Sequence, residues 1–176
     1  MADNIALDLG AEPSKEVVFT EVAQYMSELG LRATAVDSER PWGGFYVIDE
    51  SLTGAFIDLY FPEFPRDQIS KYGNKLSPKL LIVAPEKRLS WQYHDRRAEL
   101  WKAIYGPVGY IVSETQEQGI VLQLAAGETI QFDPRIYHRL IGLEGWGVVA
   151  EIWQHSDPSN PSDELDIVRV EDDFGR

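Results

Sequence analysis

Cysteine is absent from the 176 residues. Its absence excludes disulfides, thiolate zinc sites and zinc knuckles, and it suits a reducing compartment. Histidine is scarce, with three in all, so any imidazole chemistry must fall on a few named positions. No run of about eighteen apolar residues occurs, which leaves no candidate membrane helix. The opening MADNIALDLGAEPS has neither the basic start nor the apolar stretch of a signal peptide, and a cytoplasmic location is the expectation. Basic residues are outnumbered, 16 Lys and Arg against 29 Asp and Glu, for a net charge of -13. That balance argues against nucleic acid or an anionic membrane as partner, because binding there depends on neutralising phosphates with cations.

What is present is ordinary for a globular chain: 44% hydrophobic and 26% charged residues. The length suits one domain with a substantial core. A helix is predicted over residues 14 to 30, capped by Ser14, with Val18, Val22, Tyr25, Met26 and Leu29 as its apolar stripe and Gly30 ending it. From PWGGF onward the pattern turns to short β-prone runs between turn residues: GFYVID, AFIDLYF, KLLIVA, RLSWQYH, LWKAIY, VGYIVS, IVLQLA, TIQFD, YHRLIG, GVVAEIW and DIVRV. So many short runs favour an all-β barrel or sandwich. The helix is expected to cover part of it, and the Pro- and Gly-containing stretch FPEFPRDQISKYGNKLSP reads as a loop able to lid its mouth.

Within this β pattern one constellation carries chemistry. Gln92 and His94 are two apart, so on a strand they share a face. Glu99 comes from the next run and His138 from a run about forty residues on. Two imidazoles, a carboxylate and an amide oxygen suit a divalent metal, Zn or Mn, Fe, Co or Ni, and leave room for a substrate. The third histidine, His155, has no such context and reads as peripheral. The same parity puts Arg88 and Ser90 inward and makes Leu89, Trp91 and Tyr93 an outer apolar stripe, to be covered by the N-terminal helix or by a second subunit of a homodimer.

Cations gather around this constellation although the chain is acidic. Lys87, Arg88, Arg96, Arg97, Lys102, Arg135 and Arg139 are seven of the sixteen basic residues, and all lie close in sequence to the proposed ligands. Such clustering suits a small anionic ligand, a phosphate ester or a carboxylate. Solubilising positions on outward strand faces would give the same count.

These residues resemble the cupin superfamily. Its first motif is matched in frame by Glu86, Gln92, His94, Glu99 and Gly106, and its second by Gly127 and His138. Glu86 stands where the family has Gly, Gln92 where it has His, Asp133 and Arg135 where it has Pro and Gly, and Gly142 where Asn is usual. Within the superfamily, RLSWQYHDRRAELW is similar to the motif LSLQxHxxRAExW of type II phosphomannose isomerases, the isomerase domain of fused mannose-1-phosphate guanylyltransferases. ERPWGGF, YHRL and DIVRVEDDFGR agree with further segments of that family in order, so the resemblance covers roughly 39 to 176. Asp95 and Arg96 stand where the family usually has more histidine.

The resemblance implies a double-stranded β-helix, the cupin jelly-roll barrel, over 39–176, after an N-terminal helical extension over 1–38. It implies a metal held by Gln92, His94, Glu99 and His138. It also implies aldose-ketose isomerisation of a sugar phosphate of the mannose 6-phosphate/fructose 6-phosphate type. Arg97, Arg139 and Arg169 match motif positions and, with Arg88, are the candidates for binding the substrate's phosphate. Lys102, Glu151 and a metal-bound hydroxide are the candidates for the base. Isomerisation or epimerisation of another sugar, and sugar binding without catalysis, are the alternatives, since a fold does not fix its chemistry.

Overall fold

In a computed structural model, residues 5–175 are described. Helix α1 (Lys15–Glu28) starts where the sequence predicts, with the Ser14 side chain accepting from Val17 N. It ends at Gly30, whose φ of +71° suits a residue without a side chain. Eleven strands follow among the described residues. β1 (Ala33–Asp37), β2 (Gly43–Ile48) and β3 (Leu76–Val83) precede β4 (Trp91–His94), β5 (Arg97–Tyr105) and β6 (Val108–Ser113). β7 (Leu122–Leu124), β8 (Thr129–Phe132), β9 (Tyr137–Gly142), β10 (Gly147–His155) and β11 (Ile167–Glu171) complete the set. All pairings are antiparallel, in two sheets ordered β1-β2-β3-β10-β5-β8 and β11-β4-β9-β6-β7.

Two apolar layers hold this arrangement. Between the sheets lie Leu81, Val83, Trp101, Ala103, Val108, Phe132, Leu140 and Val149. On the other face of the six-stranded sheet, Leu80, Ile82, Leu100, Val148, Ala150 and Ile152 meet Val18, Phe19, Val22 and Met26 of α1. Alternation along β3, β5 and β10 therefore feeds both layers, one residue to each in turn. Among the described residues no helix is long and apolar enough to cross a membrane.

Three expectations are corrected. AFIDLYF is not a strand: it lies in α2 (Thr53–Tyr60) and its cap, where Phe56, Ile57 and Tyr60 fall on one helical face against the α1 layer. Pro62 follows the cap residue Phe61 and stops the helix. The stretch expected as a lid contains the short helix α3 (Arg66–Ile69) and the start of β3. It is fastened to the barrel: Gln154 donates to Ile69 O, and Lys71 and Tyr72 both donate to Asp133. β1, within the expected helical extension, escaped the sequence reading because its burial pattern shows no alternation.

The third correction concerns the outer stripe. Leu89 packs on the inter-sheet layer rather than outside. Trp91 is covered within the chain, stacked 5.8 Å from Tyr137 and donating to Gln116 O, and Tyr93 also meets Tyr137 at 4.9 Å. The N-terminal helix lies on the other sheet. Parity holds at Ser90, which lines the cavity with Gln92, and fails at Leu89 and Arg88, which precede the regular strand where an isolated bridge joins Arg88 to Ile141.

Candidate metal centre

Three strands bring three predicted ligands together. His94 ends β4, Glu99 lies on β5 and His138 on β9, all buried, with ligand atoms within 4.8 Å of one another. Glu99 is the hub: Oε1 is 3.1 Å from His94 Nε2, and Oε2 is 3.2 Å from His138 Nε2. His138 is fixed by three contacts. Nδ1 lies 2.9 Å from Ile136 O, to which only an N–H can donate, while Phe132 stacks on the ring and Trp101 meets it edge-on. With Nδ1 donating to that carbonyl, Nε2 is the nitrogen turned toward the carboxylate.

That arrangement provides the test for a metal. His138 Nε2 and Glu99 Oε2 are buried and without a hydrogen-bond partner. Two acceptors facing each other away from water are costly unless a cation joins them. Protonation states agree. Burial, then the Arg97 charge, pulls His94 down to about 4, so its imidazole is neutral at ordinary pH. Burial opposes ionisation of Glu99, but His94, Arg97 and His138 outweigh it and hold the carboxyl well below its usual range. A neutral imidazole at His94 and an ionised carboxylate at Glu99 are the forms that bind metal.

The fourth predicted ligand, Gln92, faces the triad with its nitrogen. Nε2 is 3.5 Å from His94 Nε2, while Oε1 accepts from Ser90 Oγ at 2.6 Å. A half-turn of the amide exchanges the two atoms. Arg97 also enters the site. Its Nε donates to Glu99 Oε1 at 2.8 Å, Nη2 is 3.1 Å from His94 Nε2, and Nη1 donates to Ser162 Oγ. One carboxylate oxygen is thus engaged by a guanidinium and the other is left for a metal.

A cavity of about 50 Å³ adjoins the triad, lined by Glu99 with Gln92, Arg97, Trp101, Glu151, Trp153, Lys79 and others. Glu151 is fully buried, with Oε1 accepting from Trp101 Nε1 at 2.9 Å. Burial first, then the Glu99 charge, pushes its carboxyl up to about 8. Two carboxyls in one cavity, one ionised and one neutral at pH 7, make a general acid-base arrangement.

The remaining candidates separate clearly. Lys102 stands apart from the cavity: it follows Trp101 on β5, points to the other face and donates to Glu63. Arg88 lies outside, bonded to Asp173 and Glu171, because the inward parity does not extend to it. Arg139 is buried but works as a tie, donating to Leu89 O, Gln118 and Glu171 rather than lining the cavity. Arg97 and Arg169 do line it. His155 is buried, not peripheral: Nδ1 accepts from Ser162 N and Nε2 lies 2.9 Å from Ser77 Oγ. Sequence reasoning missed Lys79 and Trp153. The available signal was a lysine at the inward parity of the apolar run KLLIV.

No protein-family model matches the chain, and no curated protein matches it in sequence. Solved structures do. Oxalate decarboxylase of Bacillus subtilis aligns over 80% of this chain and 32% of its own at 13% identity, with a TM-score of 0.55. Vicilin of Corylus avellana, hazelnut, aligns over 77% of this chain and 35% of its own at 11% identity, with a TM-score of 0.51. Oxalate decarboxylase of Lactobacillus farciminis, as a formate complex, gives 80%, 34%, 13% and 0.50 in the same terms. The chain spans about a third of the length of each of these structures. Identities this low speak for fold alone. Two antiparallel sheets closing on a buried His-Glu-His cluster, with a helix packed outside, are the cupin fold with an N-terminal helical addition.

Proposed function

We propose that the chain is a metal-dependent isomerase that interconverts an aldose and a ketose phosphate, of the mannose 6-phosphate/fructose 6-phosphate type, through an enediol. The observation carrying this reading is the convergence of His94, Glu99 and His138, with unpartnered acceptor atoms, beside a second buried carboxyl, Glu151. The substrate class rests on the resemblance of RLSWQYHDRRAELW, ERPWGGF and the terminal DIVRVEDDFGR to type II phosphomannose isomerases.

His94, Glu99 and His138 would hold a divalent ion, with Gln92 as fourth ligand after its amide turns. Such an ion supplies Lewis acidity at the substrate's carbonyl and hydroxyl oxygens. Glu151 carries the proton. In its ionised form it takes the proton from C2 as the C1–C2 double bond forms and the C1 oxygen gains a proton; it then returns its proton to C1 as the C2 hydroxyl gives up its own and becomes the ketone. A carboxyl near pH 8 is a stronger base than an exposed one and is matched to work at neutral pH. The Trp101 N–H fixes which oxygen of Glu151 is turned away from the substrate.

The cavity is narrow: about 50 Å³ accommodates an ion and waters, whereas a drug-sized ligand needs roughly 300 Å³ or more. Entry of a hexose phosphate therefore requires mouth side chains such as Arg40, Trp42, Glu164 and Arg169 to swing outward. The same narrowness favours a shorter sugar phosphate as the second reading.

Solvent exchange tests the proposal. Protein loaded in turn with Zn, Mn, Fe, Co or Ni is incubated in D2O with triose, pentose, hexose and heptose phosphates and with free sugars. Deuterium entering C1 or C2 of one phosphorylated substrate is the expected result. Tight metal binding without label in any sugar would sink the isomerase and leave a non-catalytic binder.

A further inference from the structure

We propose that Lys79 anchors the phosphoryl group of the substrate, at the side of the cavity away from the metal triad. This inference rests on the sugar-phosphate reading. It begins with strand order, since β10 lies between β3 and β5. Lys79 on β3 is the register partner of Glu151, and Trp153, two residues along β10, is the register partner of Glu99 on β5.

Trp153 separates two cations. Lys79 Nζ lies 3.3 Å and Arg97 Cζ 3.4 Å from the ring centroid. At such distances each cation must sit almost directly above the ring plane, and two groups on the same face would overlap. They therefore occupy opposite faces, one reaching in from β3 and the other from β5. Arg97 faces the triad, where it holds Glu99. Lys79 is one indole thickness farther away, and its ammonium also approaches the Phe45 ring at 4.9 Å.

Lys79 differs from the other cations of the cavity in what holds it. Arg40 is bonded to Asp37 at 2.7 Å, and Arg97 to Glu99 and Ser162. Lys79 is 7% exposed and makes no hydrogen bond among the described residues. An ammonium has three donors, and burying it against aromatic faces leaves all three to be satisfied. Its nearest carboxylate is Glu164, at 4.0 Å. The same carboxylate is 3.8 Å from Arg169, and its side chain is 51% exposed in a short turn at the mouth. Glu164 stands where an incoming oxyanion would stand, between Lys79 and Arg169, and is loosely enough held to be displaced. Burial, the main influence, lowers the Lys79 pKa against the opposing charges of Glu151, Glu164 and Glu99. A phosphoryl dianion would supply acceptors for the ammonium.

The probe is inorganic phosphate, titrated into zinc-loaded protein by calorimetry, with zinc content measured on each sample. Lys79→Met is expected to weaken phosphate binding at least 10-fold, Lys79→Arg to stay within about 3-fold, and Glu164→Gln to bind more tightly than the unaltered protein, all with unchanged zinc. Phosphate affinity indifferent to Lys79→Met, or weakened by Glu164→Gln, overturns the proposal. On the unaltered protein, phosphate should slow acylation of Lys79 by acetic anhydride at least 5-fold, read by peptide mass spectrometry. That measurement decides the matter if Lys79→Met does not fold, and an unprotected Lys79 overturns the anchor. Failure of the unaltered protein to hold any of Zn, Mn, Fe, Co or Ni defeats the isomerase reading instead, and the acylation result then judges Lys79 alone.

Discussion

His138 Nε2 faces Glu99 Oε2 at 3.2 Å, and both atoms are buried without a hydrogen-bond partner among the described residues. A cation is the natural bridge, and its binding is linked to folding. Elemental analysis should find one divalent ion per chain, and His138→Ala or His94→Ala should lower occupancy at least 10-fold. At a free metal concentration of 100 times Kd the ion adds about 2.7 kcal/mol of stability. A chelator should therefore lower the melting temperature of the unaltered protein and leave that of His138→Ala unchanged. Equal melting temperatures with and without chelator in the unaltered protein would count against the site.

Glu151 and Lys102 make opposite predictions. Glu151→Gln keeps the shape and the Trp101 hydrogen bond while removing the proposed base, so kcat should fall by roughly 10²–10⁴ with metal content intact. Lys102→Met acts on the outer face beside Glu63 and should change kcat less than 2-fold. A reversal of this order would move the base to the other side of β5.

His155 gives the fold a dependence on pH. Burial, then the charges of Lys75 and Arg97, depresses its pKa from 6.5 to about 4. The unfolded chain therefore takes up the proton first as pH falls. The stabilisation is complete above about 6.5 and is lost between about 6.5 and 4, at up to about 1.4 kcal/mol per pH unit. Urea midpoints of metal-free protein should decline across that window, where His94 titrates in the same direction. His155→Asn should flatten the decline by about one proton, and an unchanged slope would show that other groups dominate.

Gly43 explains the PWGGF segment. Its φ is +140°, and a Cβ there would lie 1.9 Å from Ile82 O on the neighbouring strand. Gly43→Ala should cost about 1–3 kcal/mol or more in chemical denaturation. Gly54, inside α2, has nothing within 4 Å. Gly54→Ala should stabilise by roughly 0.5–1 kcal/mol, the usual helical gain over glycine.

Much of this was legible because barrel strands alternate. The spacing of Gln92 and His94 placed them on one face, and ten of the eleven β-prone runs carry a strand. AFIDLYF misled because a short apolar run has no period of its own, and its helical face became visible only against α1. Arg88 and Leu89 misled because parity was extended past the end of regular pairing. Lys79 and Trp153 remained unread because what makes them a pair is the adjacency of β3, β10 and β5, which local sequence does not contain.

β10 is hydrogen-bonded along both edges, and its residues alternate between the α1 layer and the cavity. Sliding it by one position would exchange Ile152 for Glu151, driving a carboxyl under the helix and a sec-butyl group into the cavity. The chemistry is consequently all-or-none with respect to threading. A single-residue insertion or deletion in β10 should erase the proposed activity rather than weaken it, whereas the exposed turns on either side have freedom to vary.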